Sequence, residues 1–173
     1  MSDNLRLRLM GRPCKALPTV IATEAIADEE VLDTLLSFVY HGDDPLRWRA
    51  VWALEKVACQ CPSLLIGERT RMKALAMQGD TPDGLRRLLL GILRHLPDEK
   101  DLDVAFFNFL LDKMLNLQTP PGVQALAMKL AYRQSKSDSD LHKEFLCIVR
   151  NMELDYYSVG VKSVVKNCLK GKY

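Results

Sequence analysis

The sequence has almost no excess of charge: 24 lysines and arginines face 22 aspartates and glutamates, a formal net charge of +2 over 173 residues. That balance excludes a histone-like polycation and leaves only local patches for charged partners. Long apolar runs are also missing. None approaches the roughly 20 residues that a helix needs to cross a bilayer, and residues 1–10 contain no uninterrupted apolar core of the signal-peptide kind. Cysteines are few and odd in number: Cys14, Cys59, Cys61, Cys147 and Cys168. Their irregular spacing makes a disulfide framework a poor reading, so reduced thiols and a cytoplasmic location are expected. Cys59-Gln60-Cys61 has no second pair or nearby histidine to complete a four-ligand zinc site, and reads as small apolar residues at a helix end. Phosphate-binding, dinucleotide, zinc-protease and nucleophile-elbow motifs are all absent. No catalytic residue, cofactor or metal is expected. His41, His95 and His142 lie far apart, and His41 reads as a helix-ending histidine favoured by the dipole rather than a ligand beside Asp43 and Asp44.

What is present is a core-forming composition, 48% hydrophobic, arranged in a repeat. The segment from Asp44 to Leu54 reads D-P-L-R-x-x-A-x-x-A-L. Its register returns as Leu85-Arg86, Leu89, Ile92-Leu93; then as Val123-Gln124, Ala127, Leu130-Ala131; then as Val161-Lys162, Val165, Cys168-Leu169. The first copy resembles the second-helix signature of HEAT-type (HEAT/armadillo-like) repeats, and the later copies keep its spacing and apolar character. The resemblance implies an all-α fold, a short right-handed α-α superhelix of about four antiparallel helix pairs. The units are expected near 28–60, 64–96, 101–134 and 138–170, preceded by a capping segment over 1–27. In that segment Leu5, Leu7 and Leu9 alternate with Arg6 and Arg8 like a short strand, and residues 19–27 fit one short helix. Arg47 is expected to pair with Asp43 or Asp44, as the arginine of this motif commonly does in HEAT proteins.

Charge separates by layer. Segments 47–60, 80–97, 119–136 and 154–173, which hold the second helices, sum to +9; the first-helix segments sum to −10. Part of this follows from dipole preferences at helix ends. At about 100° per residue, Leu46, Ala50, Ala53, Leu54 and Val57 share one face of the helix after Asp44, and Trp48, Trp52, Glu55 and Cys59 point away. Equivalent positions in later units include Arg87, Arg94, Lys129 and Tyr132, with Arg133 adjacent. In HEAT-like arrays the second helices line the concave face. The resemblance therefore implies a groove with Trp48 and Trp52 as anchors and Arg87, Arg94, Lys129, Tyr132 and Arg133 as its polar and basic part.

The leading expectation is a non-enzymatic interaction scaffold that binds an acidic peptide or protein segment. Nucleic acid is the alternative partner, because the chain also resembles HEAT-like-repeat DNA glycosylases. Glu55 is the one acid in a suitable position for that chemistry, but no W-D-x-x-D segment follows. A membrane partner is not expected, and the oligomeric state is left open.

Overall fold

Carboxylates and prolines at the turns decide where the helices begin. The computed structural model describes residues 2–12 and 14–173, in which every regular element is a helix. The chain divides into two units, residues 1–70 and 71–173. The first contains α1 (Ser2–Met10), α2 (Leu17–Ala27), α3 (Glu29–His41) and α4 (Asp44–Gln60), followed by a 3-10 segment, Pro62–Glu68. Asp28 accepts a hydrogen bond from Glu30 N, and Asp43 accepts one from Leu46 N. These caps satisfy backbone donors that the first helical turn leaves open. Pro45 then supplies a preset φ near the start of α4.

The apolar face of α4 is buried as its spacing requires. Leu46, Ala50, Ala53, Leu54 and Val57 are at most 1% exposed, and α4 packs against α1, α2 and α3. Residues 2–10 form a helix rather than the expected strand. Leu5 and Leu9, one helical turn apart, are buried, whereas Leu7 is 75% exposed. The Leu-Arg alternation thus contains an i, i+4 pair, and packing on α4 and α3 selects the helical period. Arg8 forms a two-bond ion pair with Glu24 of α2 at 2.7 and 2.8 Å, and Arg49 of α4 donates to the carbonyls of Leu9 and Gly11 at the end of α1.

In the second unit α5 (Arg69–Met77), which spans the division, is followed by α6 (Asp83–His95), α7 (Val104–Leu115), α8 (Pro121–Ser135), α9 (Ser139–Arg150) and α10 (Val159–Leu169). The four helix pairs implied by the repeat are α3–α4, α5–α6, α7–α8 and α9–α10. Asp103, Asp138 and Ser158 cap α7, α9 and α10. Helix α8 packs between α6 and α10, so these three second helices form a layer, with α7 and α9 against it.

One contact recurs at the repeat position after the motif's first apolar residue. Arg47 Nε donates to the Val39 carbonyl at 3.0 Å, Arg86 Nη2 to the Gln78 carbonyl at 2.9 Å, and Gln124 Nε2 to the Asn116 carbonyl at 2.9 Å, always eight residues back. Arg86 also donates from Nε to Ala76 O at 3.0 Å and from Nη1 to Asp83 at 2.6 Å. Helix ends leave carbonyls without intrahelical partners. In these three pairs, the second helix therefore pins the end of the first. The Asp44 pairing expected for Arg47 is present but long, at 3.5 Å, and the Val39 carbonyl is its closer partner.

Lys73 of α5 is 4% exposed and carries a second tie. Its ammonium lies 2.5 Å from Glu99, 3.0 Å from Asp103 and 5.0 Å from the centroid of the Phe106 ring. Burial raises the Asp103 pKa, but hydrogen bonds from Phe106 N and Lys73 outweigh it and hold the group below the ordinary carboxylate value.

Two outcomes follow for stability. Arg86→Ala leaves the buried Ala76 carbonyl without the Arg86 donor, whereas the exposed Gln78 carbonyl keeps Thr81 N, and is expected to cost about 1–3 kcal/mol in urea unfolding, against roughly 1 kcal/mol for the neutral bond lost in Gln124→Ala. A depressed Asp103 pKa contributes stability that is complete above the unfolded value near 3.9 and is lost as pH falls through the lower folded value. Asp103→Asn should therefore flatten the acid limb of an unfolding-versus-pH curve below about pH 4 relative to wild type.

Candidate functional site

In the first unit, the outward positions of α4 carry the two tryptophans. Trp48 is 38% exposed and Trp52 half-buried; their ring centroids are 5.3 Å apart at an interplanar angle of 53°. They share a cavity of about 170 Å³ with Leu9, Cys14, Leu17, Pro18 and Arg49. The N-terminal helices thus border the indoles on one side without sealing them. Glu55 is half-buried on the same helix and pairs with its neighbour Lys56 at 3.6 Å.

In the second unit, Arg87 and Arg94 are exposed on α6, and Lys129 is half-buried on α8. Arg87 lies across the start of α8, where a Cβ on Gly122 would come within 3.1 Å of its Cδ. A glycine there gives the arginine stem its room. Arg94 Nη2 is 3.2 Å from His95 Nε2, and the Lys129 ammonium sits 5.2 Å from the Tyr173 ring centroid. The sequences of α8 and α10 contain no acidic residue, and α6 contains only Asp83 in its first turn, already paired with Arg86.

Two expected site residues have other tasks. Tyr132 is 3% exposed, so it does not belong to a binding surface. It continues the buried stripe Gln124–Met128–Ser135 along α8, and its ring meets the edges of His142, Phe145 and Tyr173. The equivalence of register with Arg94 pointed outward, but the arrival of α9 against this part of α8 covers the position. Arg133 is half-buried and committed internally. It donates to Asp98 at 2.6 Å and to the carbonyls of Arg94 and Leu96 at 2.5 and 2.8 Å, closing the end of α6.

The sequence reading missed a groove of about 600 Å³ between the ends of α7 and α9, lined by Leu115, Leu117, Ile148, Met152, Tyr156 and Tyr157. Tyr157 donates to the Leu115 carbonyl at 3.0 Å, and burial followed by the neighbouring Glu153 charge pushes its phenol upward. The only signal for this groove was a cluster of apolar residues in turns. Its wall is mainly apolar, with Cys147, Asn151 and Glu153 as the polar residues among its lining. His142 Nδ1 lies 2.8 Å from Ser135 Oγ, but that hydroxyl is fully buried and donates to Tyr132 O. Burial, then the Lys136 charge, lower the His142 pKa. The Cys168 thiol is pushed up to about 12 by burial, which keeps it unreactive at neutral pH. Among the described residues no three histidines, cysteines or carboxylates gather where they could hold a metal ion, and no helix is long and apolar enough to cross a membrane.

The assignment of Tyr132 to the core and Arg87 to the surface can be separated by thermal unfolding. Tyr132→Ala is expected to cost about 3 kcal/mol, as for other buried aromatic truncations, and Arg87→Ala less than about 0.5 kcal/mol.

Comparison with curated proteins and with solved structures returns no match. The family described as HEAT repeat domain matches residues 3–172, and so extends over α1 and α2 as well as the four helix pairs. With that span matched and every described regular element helical, the chain belongs to the HEAT repeat domain family, whose members generally serve as helical-repeat scaffolds for protein interaction.

Proposed function

We propose that this HEAT-repeat chain is a non-enzymatic scaffold that docks an acidic peptide or protein segment on the outward side of its second helices. The observation that carries this reading is the layer α6–α8–α10. It exposes Arg87 and Arg94, keeps Lys129 accessible, and has no carboxylate apart from the one that Arg86 neutralises. A surface of one sign attracts the opposite sign and raises the encounter rate. The basic residues that hold the fold together, Arg47, Arg86, Arg133 and Lys73, are separate from those that face outward. Trp48 and Trp52 belong to the first unit, where α4, taken by itself, offers apolar contact of the kind that dominates interface hot spots. Tyr132 and Arg133 act behind this surface, the first by packing and the second by closing α6.

The test is fluorescence anisotropy with a labelled oligoglutamate peptide and the full chain. Replacing Arg87, Arg94 and Lys129 together by Glu is expected to weaken binding at least tenfold, with the wild-type affinity falling as salt is raised. Unchanged affinity in the triple variant overturns the proposal. A single-stranded oligonucleotide of equal charge that binds tenfold more tightly than the peptide would instead establish nucleic acid as the partner.

A further inference from the structure

The cavity beside the tryptophans has a size and a rim that specify its occupant. We infer that it takes one phenylalanine side chain of an acidic segment, an inference that rests on the acidic-partner reading above. The volume of about 170 Å³ is close to the roughly 150 Å³ of an apolar cavity that holds a benzene ring. A valine or alanine would leave much of it empty, and each unfilled volume forfeits contact energy. A tryptophan would not fit without moving the wall.

The wall suits an aromatic ring. Leu9, Leu17 and Pro18 are apolar, and the two indoles, tilted 53° to each other, offer a face and an edge at once. Offset and edge-to-face geometries are the ones aromatic pairs prefer. Arg49 contributes its methylene stem, because its guanidinium is turned to the carbonyls of Leu9 and Gly11. The cavity is open to an incoming chain: Trp48 is 38% exposed and Cys14 is exposed.

The rim is cationic. Cys14 lies in the α1–α2 connection, where Arg12 and Lys15 are exposed and no acidic residue occurs between Gly11 and Leu17. The two arginines of α1 are already matched, Arg6 with Asp43 and Arg8 with Glu24. Charge around the mouth therefore favours carboxylates on either side of the inserted ring and repels a basic segment.

The experiment uses the full chain and two labelled peptides of aspartate and glutamate, one with a single central phenylalanine and one with alanine in its place. Trp48 and Trp52 are the only tryptophans in the chain, so intrinsic emission reports on the cavity directly. The phenylalanine peptide is expected to bind at least tenfold more tightly than the alanine peptide and to shift tryptophan emission to the blue. Cys14→Phe, which fills the mouth from an exposed position, should erase that preference while leaving the affinity for the alanine peptide unchanged; Trp48→Ala, checked by circular dichroism, should also erase the preference. Equal affinities with unshifted emission would overturn the inference and leave the acidic-partner reading standing. A preference that survives in both variants also overturns it. Failure of both peptides to bind would remove both readings.

Discussion

The constraint on which the structure depends is the open end of each first helix. Stacked helix pairs must bring helix C-termini close to their partners, where carbonyls lose water before they gain a helical donor. The chain answers this with a side chain on the second helix, eight residues downstream: Arg47 to Val39, Arg86 to Gln78 and Gln124 to Asn116. Arg133 solves the same problem differently, reaching back from α8 to the carbonyls of Arg94 and Leu96. Burying a charge is costly unless it is hydrogen-bonded, and for Arg47, Arg86 and Arg133 the guanidinium receives acceptors that offset that cost, while Gln124 donates without carrying a charge.

This arrangement divides the basic residues into two sets. One set, turned inward, closes helix ends or, like Lys73, ties a turn and a helix start to α5 through Glu99 and Asp103. The other set has no comparable internal duty and stays at the surface of the second helices. A net charge of +2 conceals both. The layer charges noted in the sequence therefore mix residues that build the fold with residues that are available to a partner, and only burial and bonding tell them apart.

The helical register was legible because apolar spacing is a direct consequence of 3.6 residues per turn. The buried face of α4, from Leu46 to Val57, needed nothing more than that period. Residues 2–10 were ambiguous because a two-residue alternation also contains Leu5 and Leu9 at helical spacing, and tertiary packing made the choice. Tyr132 was misplaced for a different reason. Translating a surface position by the repeat length assumes that each second helix meets the same neighbours, whereas α9 covers this part of α8. Lys73 could not be found at all, since its partners lie 26 and 30 residues away in a turn whose path the local sequence does not fix. Of the candidate site, the tryptophan pair and the exposed cations were readable, but the cavity was not. It exists because α1 and α2 lie beside α4.

The central claim is that the second helices, and not the first, present the partner-binding surface. Amide hydrogen exchange of the full chain with and without saturating oligoglutamate peptide tests this most directly. The account predicts slowed exchange confined to α4, α6 and α8, with α7, α9 and the groove at their ends unchanged. Protection centred on the α7–α9 groove, with α6 and α8 unaffected, would contradict it.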